Sequence, residues 1–354
     1  MRQVVRVAAY LPQARGGGLP VPAFDEDEFT LAATAVERAW VGRQEEPGRV
    51  SVHLVGEFPS VVEWGFAPLL GHECEVVRHR PGFAELVSTV RVLEEERDGA
   101  AFVVAAALDD KGGGRAGSRG GPSGPGAVAF LLESAEEASP FPFDKASPAR
   151  SALAGALRLG DPGHTVPRTV TFVGDWDRRS AAKSGEDERP SRRAIDTALT
   201  SVSEGAYVPR ARYLENLPSR WRFVAEVCGA CHGTTFPARG VCRKCGRSDM
   251  LTALTLPLDG GRVVAVTTVG KGGQPTEFDA QVEATGPYDV ALVELARGMR
   301  VTLQVTDAPA GTLAVGDHVN TRLRRLYSME GEWRYGRKAV PIGPKGSPHS
   351  AGGA

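Results

Sequence analysis

The sequence predicts a layered α/β domain, then a rubredoxin-like four-cysteine ribbon, then an all-β barrel of the OB-fold type. Three features point there. Apolar runs and amphipathic periods alternate through the first 135 residues, four of the five cysteines fall in one C-x2-C, ten-residue, C-x2-C frame, and short strand patterns crowd the last third. At 354 residues the chain is long enough for two domains with good cores.

Residues 4–10 form an apolar strand, ended by Pro12 and the glycines at 16–18. Four acids, Asp25 to Glu28, then stand where they complement the dipole of a starting helix, whose apolar face is Phe29, Leu31, Ala32, Ala35, Val36 and Ala39. A strand at 50–55, a short helix at 61–70 and a strand at 74–77 follow. Phe83, Leu86, Val87, Val90 and Leu93 recur at three and four, which predicts a helix over 83–96. Residues 101–108 are almost continuously apolar, as in a strand buried on both faces, and 127–132 read as another strand after the glycine-rich, basic run 111–126. The order β-α-β-α-β-α-β-β implies a mostly parallel sheet.

Beyond Glu133, prolines break the pattern, one short strand stands at 170–173, and the charged stretch 175–193 reads as a solvated linker. This divides the chain into 1–135, an irregular segment at 136–205, a lead-in helix with the ribbon at 206–252, a barrel at 253–342 and a Gly/Ser/Pro-rich tail at 343–354. Strands at 262–269, 290–295, 299–306 and 318–325, with glycine turns between, suit a small closed barrel.

The cysteines Cys228, Cys231, Cys242 and Cys245 carry the clearest chemistry. Two residues between thiols let one tight turn aim both sulfurs at a point, and two such turns close a tetrahedral thiolate cage suited to Zn2+. All four corners are protein, so the ion holds the fold together and does no chemistry. Iron also accepts four thiolates, but no redox partner motif accompanies the frame. Met1 is followed by no signal segment, so disulfides are not expected and the thiols suit a reducing cytoplasm. No run of about 18 apolar residues occurs, so no membrane span is expected.

Net charge is −1. From Gly205 onward nineteen basic residues face thirteen acidic ones, a net +6 against −7 for the rest, an asymmetry that marks a domain boundary better than a polyanion site. The glycine-rich 112–121 and 270–274 lack the Gly-Lys-Ser/Thr ending of a phosphate loop, and the prolines of 121–125 oppose a nucleophile elbow. Arg322, Arg324, Arg325, Arg334, Arg337 and Lys338, interleaved with Tyr327, Trp333 and Tyr335, read first as a solvated strand pair with cation–π packing. The same set suits acyl-CoA or partner contact, or single-stranded nucleic acid stacked on the rings, a reading that the interspersed Asp317, Glu330 and Glu332 weaken.

The segment 207–341 resembles the zinc-ribbon/OB-fold proteins that accompany thiolases and hydroxymethylglutaryl-CoA synthases. The motifs are YLENLPSRWR (213–222), FPAR (236–239), LDGGRVVAVT (258–267), PYDVALVE (287–294), GDHV (316–319) and WRYGRK (333–338). The N-terminal part is similar to a degenerate thiolase-like half, on VRVAAYLP (5–12), DEDE (25–28) and GAVAFLL (126–132). The resemblance implies a non-catalytic accessory subunit in a hetero-oligomer with a thiolase-fold condensing enzyme. Arg220, Trp221 and Arg222 of the lead-in, with Trp333, Tyr335, Arg337 and Lys338, are then the candidate partner or acyl-CoA contacts.

Thioester condensation needs a thiolate at a helix N-terminus, activated by a histidine. The matching stretch Arg80-Pro81-Gly82-Phe83 holds no cysteine, Cys74 lies earlier on a strand, and His164 sits in a turn. Catalytic residues are therefore not expected. An active hydroxymethylglutaryl-CoA synthase-like acyltransferase using Cys74 is the first alternative, and a single-stranded nucleic-acid-binding protein the second.

Overall fold

A computed structural model describes residues 2–10, 23–41, 49–96, 99–107, 126–134, 208–329 and 331–342, with the strand backbone at 15–16, 19–20 and 171–174. The chain divides into two compact units, 1–189 and 190–354. The expectations for 136–170, 175–207 and the tail, with His164, fall outside the described residues.

In the first unit six strands form one sheet. They are β1 (Arg2–Tyr10), β2 (Val50–Val55), β3 (Cys74–His79), β4 (Ala100–Ala107), β5 (Gly126–Ser134) and β6 (Thr171–Gly174), in the order β3-β2-β4-β5-β1-β6. β2 pairs in parallel with β3 and β4, and β1 with β6, while β5 is antiparallel to both neighbours, so five of the six strands run one way and the mostly parallel sheet carries a single reversed strand.

Among the described residues three helices pack on this sheet: α1 (Glu28–Trp40), α2 (Val62–Leu70) and α3 (Phe83–Glu95). Asp27 caps α1 by accepting from the Thr30 N–H at 2.8 Å, while its own N–H donates to Thr30 Oγ1 at 2.8 Å. Glu26 does not serve the dipole. It is fully buried, accepts from the Tyr10 hydroxyl and from the Ala23 N–H, and so ties the loop to β1. Phe83, Leu86, Val90 and Leu93 of α3 pack on Val55, Ala101, Val103, Val128 and Phe130, as the spacing predicts. On α1 and α2, Phe29 meets Phe66 edge-on at 5.5 Å.

The second unit starts with two short helices, α4 (Arg210–Glu215) and α5 (Leu217–Trp221). Strands β7 (Val224–Cys228), β8 (Thr234–Thr235) and β9 (Leu251–Thr255) form a three-stranded sheet in the order β8-β7-β9. Strands β10 (Gly261–Val269), β11 (Tyr288–Glu294), β12 (Arg300–Gln304), β13 (His318–Met329) and β14 (Glu332–Pro341) form an antiparallel sheet in the order β12-β11-β10-β13-β14. The residues just beyond β12 reach the far edge strand: Val305 bridges Ala339, and the Thr306 N–H donates to the Ala339 carbonyl at 2.9 Å. A helix between β10 and β11, α6 (Asp279–Thr285), stands in a stretch to which the sequence reading assigned no element.

One apolar core serves both sheets of this unit. Phe223, Ala225, Phe236 and Leu256 from the ribbon side pack with Val263, Ala291, Val293, Val319 and Ala339. The lead-in is fastened to β14 chiefly at Tyr335: Tyr213 Oη donates to the Tyr335 carbonyl (3.0 Å) and accepts its N–H (2.9 Å), and Trp221 Nε1 donates to the same carbonyl at 3.0 Å, while Arg210 pairs with Glu332 at 2.9 Å.

Candidate metal centre

Two turns of the same construction carry the cysteines. In the first, the Cys228 N–H donates to the Gly233 carbonyl at 3.0 Å and the His232 N–H returns to the Cys228 carbonyl at 2.9 Å. In the second, the Cys242 N–H donates to Arg247 at 2.8 Å and the Gly246 N–H returns to Cys242 at 2.9 Å. Each turn thus folds back on its first cysteine and points both thiols outward from one loop. Glu226 and Thr235 set the second turn against the first: Glu226 accepts the N–H groups of Arg239 (2.9 Å) and Gly240 (3.0 Å), and Thr235 Oγ1 that of Arg243 (3.1 Å). Sequence reasoning missed both residues. An acceptor on a strand carries no local signal of what it will hold.

The four sulfurs lie within 4.8 Å of one another, with Cys228 to Cys245 at 3.7 Å and Cys231 to Cys242 at 3.5 Å. A tetrahedron with Zn–S bonds of 2.3 Å has sulfur–sulfur edges of about 3.8 Å, so the donor set fits such an ion. Cys228 and Cys242 are buried, Cys231 is half-buried and Cys245 is exposed. The backbone N–H groups of Cys231 and Ala230 lower the Cys228 thiol, and those of Cys245 and Lys244 bring Cys242 down to about 6. At Cys245 the Arg247 N–H pulls down, but the crowding sulfurs, Cys231 first, and burial hold the thiol up at about 12. Four thiolates at these distances repel one another, and a divalent cation at their centre removes that conflict.

The remaining candidate residues do not gather at one surface. Trp221, Tyr335, Arg337 and Lys338 are buried, Arg222 and Trp333 are half-buried, and Arg220 is exposed. The reading of 322–338 as a solvated strand pair is corrected here: Arg324, Arg325, Arg334, Arg337 and Lys338 are each at most 5% exposed. The four arginines each meet a group of the same unit. Arg324 meets the buried Asp307 at 3.1 Å, Arg337 Nε donates to the Trp221 carbonyl, Arg325 lies 4.4 Å over the Trp333 ring, and Arg334 pairs with Glu332 at 3.0 Å. The physical reason is that the lead-in covers this hairpin: Tyr213 and Trp221 bond to Tyr335, and Arg334 lies 5.1 Å over the Tyr213 ring. In the first unit Cys74 is half-buried on β3, its thiol directed at the His72 carbonyl (3.4 Å), and burial pushes it up to about 11. Gly82, where a condensing nucleophile is looked for, precedes α3 with φ 142.

A ribbon of four cysteines spaced to hold a metal ion, sharing its core with an antiparallel five-stranded sheet, defines a small β module. The chain is 30% identical over 132 residues, 37% of its length, to a DUF35 domain-containing scaffold protein of Methanothermobacter thermautotrophicus, and spans 94% of that protein. A second DUF35 domain-containing scaffold protein, from Methanocaldococcus jannaschii, is 29% identical over 133 residues, 89% of its length. The chain belongs to the family of DUF35-domain proteins. No family model matches it. Among solved structures it is similar to an Ltp2–ChsH2(DUF35) aldolase, at 22% identity, TM-score 0.29, over 38% of this chain and 98% of that one. It is also similar to 3-oxoacyl-[acyl-carrier-protein] synthase III of Aquifex aeolicus, at 15% identity, TM-score 0.30, over 39% and 55% of the two chains. No helix among the described residues is long and apolar enough to cross a membrane.

Proposed function

We propose that the chain is a non-catalytic accessory subunit that scaffolds a thiolase-fold condensing enzyme handling acyl-CoA thioesters in the cytoplasm. The observation that carries the reading is its likeness, over nearly their whole length, to two proteins named as scaffolds. In this reading the ribbon holds a structural Zn2+ on Cys228, Cys231, Cys242 and Cys245, and the five-stranded sheet is an OB-fold barrel. Residues 1–135 are a degenerate thiolase-like half without a nucleophile, joined through 136–205 to the ribbon at 206–252 and the barrel at 253–342. Of the lead-in and hairpin residues, Arg220, Arg222 and Trp333 keep enough exposure to meet a partner or acyl chain. The cations of β13 and β14 are consumed internally, which disfavours nucleic acid.

Co-expression with a thiolase-fold enzyme tests this. The expected result is a complex of fixed stoichiometry that resists gel filtration, weakened by Arg220→Glu, with no thioester turnover by the chain alone. Acetyl transfer from acetyl-CoA to Cys74 in the isolated chain, lost in Cys74→Ser, would overturn it.

A further inference from the structure

On the α3 face of the first sheet, four side chains make an unbroken polar chain that none of the function above uses. Ser51 and His53 alternate along β2, His79 closes the edge strand β3, and Glu85 stands in the first turn of α3. Ser51 Oγ lies 3.2 Å from His53 Nε2, His53 Nδ1 lies 3.0 Å from His79 Nε2, and His79 Nδ1 lies 3.5 Å from a Glu85 carboxylate oxygen. The two ring centroids are 5.2 Å apart with planes inclined by 26°. That separation is just short of the N···N distance plus the two ring radii, its largest possible value, so the facing nitrogens point nearly along one line. Such a line suits a shared proton. A metal ion between nitrogens 3.0 Å apart in line would need bonds of about 1.5 Å, far shorter than the 2.0–2.1 Å of imidazole ligands.

Donor counting then fixes the direction. With both rings neutral, the Glu85 carboxylate 3.5 Å away favours the tautomer with the proton on His79 Nδ1, which leaves its Nε2 to accept. His53 must therefore donate from Nδ1, and its Nε2 accepts from the Ser51 hydroxyl. One added proton is absorbed by reversal: His79, facing the carboxylate, takes it on Nε2 and donates to His53 Nδ1, while His53 shifts its own proton to Nε2 and donates to Ser51 Oγ. A second proton has no such place, because two N–H groups would then face each other. We propose that Ser51, His53, His79 and Glu85 form a proton-operated latch, reversed by one proton and broken by two, that fastens β3 and the start of α3 to the sheet.

The surroundings support this. Burial first, then the His79 ring, bring His53 down to about 4, with Arg2 at the start of β1 acting in the same direction. Glu96, just beyond α3, and Glu75, on β3, act against it. β4 faces His53 with the apolar Val103. A histidine held below its ordinary 6.5 binds protons more weakly folded than unfolded, so stability at this edge falls as pH drops from about 6.5 to about 4.

The test uses the full chain. Hydrogen exchange by mass spectrometry, corrected for the intrinsic rates, should show peptides covering 74–79 and 83–95 losing about tenfold or more protection between pH 7 and pH 4. His53→Asn keeps a donor near the Nδ1 position but cannot titrate, and should remove most of that loss. Parallel losses in both proteins, or no loss in either, overturn the latch. A folding-independent check is 15N imidazole NMR of the unmodified chain at pH 7.5. His53 and His79 protonated on Nδ1 are expected, and a proton on His53 Nε2 at that pH refutes the arrangement.

Discussion

His232 and Gly246 hold equivalent positions in successive turns: each stands one residue beyond the second cysteine of its pair, with φ of 55° and 77°, and each donates its N–H to the first cysteine's carbonyl at 2.9 Å. The second turn uses glycine, which enters this left-handed region without steric cost, whereas the first accepts the strain of a side chain. The cage is therefore built from one turn used twice.

Gly246→Ala should destabilise the metal-loaded second unit by about 1 kcal/mol, since the backbone alone opposes it and nothing lies within 4 Å of the added Cβ. His232→Gly should change stability by less than about 0.5 kcal/mol, relief of strain being offset by a freer unfolded chain. Denaturant titration of both variants checks this, and equal effects would show that the left-handed position is not held in solution.

Cys242→Ser should lose bound metal and lower the melting temperature of the whole second unit, because ribbon and sheet share one core. Metal binding must displace thiol protons, so affinity should rise with pH, and retention should weaken as pH falls through about 6, where Cys242 titrates. Competition with a chelator from pH 5 to pH 8 measures this; a flat profile would contradict a thiolate cage.

Tyr213→Phe removes a hydroxyl that serves both backbone groups of Tyr335. The Tyr335 N–H loses this partner in a buried place, for a cost of about 1–3 kcal/mol. Thermal melting reads the effect. An unchanged melting temperature would mean that the lead-in helices are not fastened to β14 as described.

Cys74 should react with iodoacetamide about 100-fold more slowly than a free thiol at pH 8, since burial raises it to about 11 from 9.0. Labelling at the rate of free cysteine would reopen the question of an acylated nucleophile on β3.

Some of this architecture was legible in the chain and some was not. The α3 helix was readable because Phe83, Leu86, Val90 and Leu93 repeat on one face, and the cage because its two turns are local and separated by a short hairpin. The hairpin of β13 and β14 was misread as solvated. Its arginines look like surface residues one at a time, and only the packing of Tyr213 and Trp221 against it puts them inside. His53 and His79 were passed over for a similar reason. They are 26 positions apart, and they meet only because β2 and β3 run in parallel with His79 opposite Val55.

What the sequence determined alone is short-range: which segments are helices or strands, and four thiols spaced to share one ion. Spacing and periodicity act over a few residues, so they survive without knowledge of the rest. Tertiary structure decided which charges are buried, which core the ribbon shares, and which histidines touch. Those depend on strand register and on which helices pack against which strands, contacts between residues tens to a hundred positions apart.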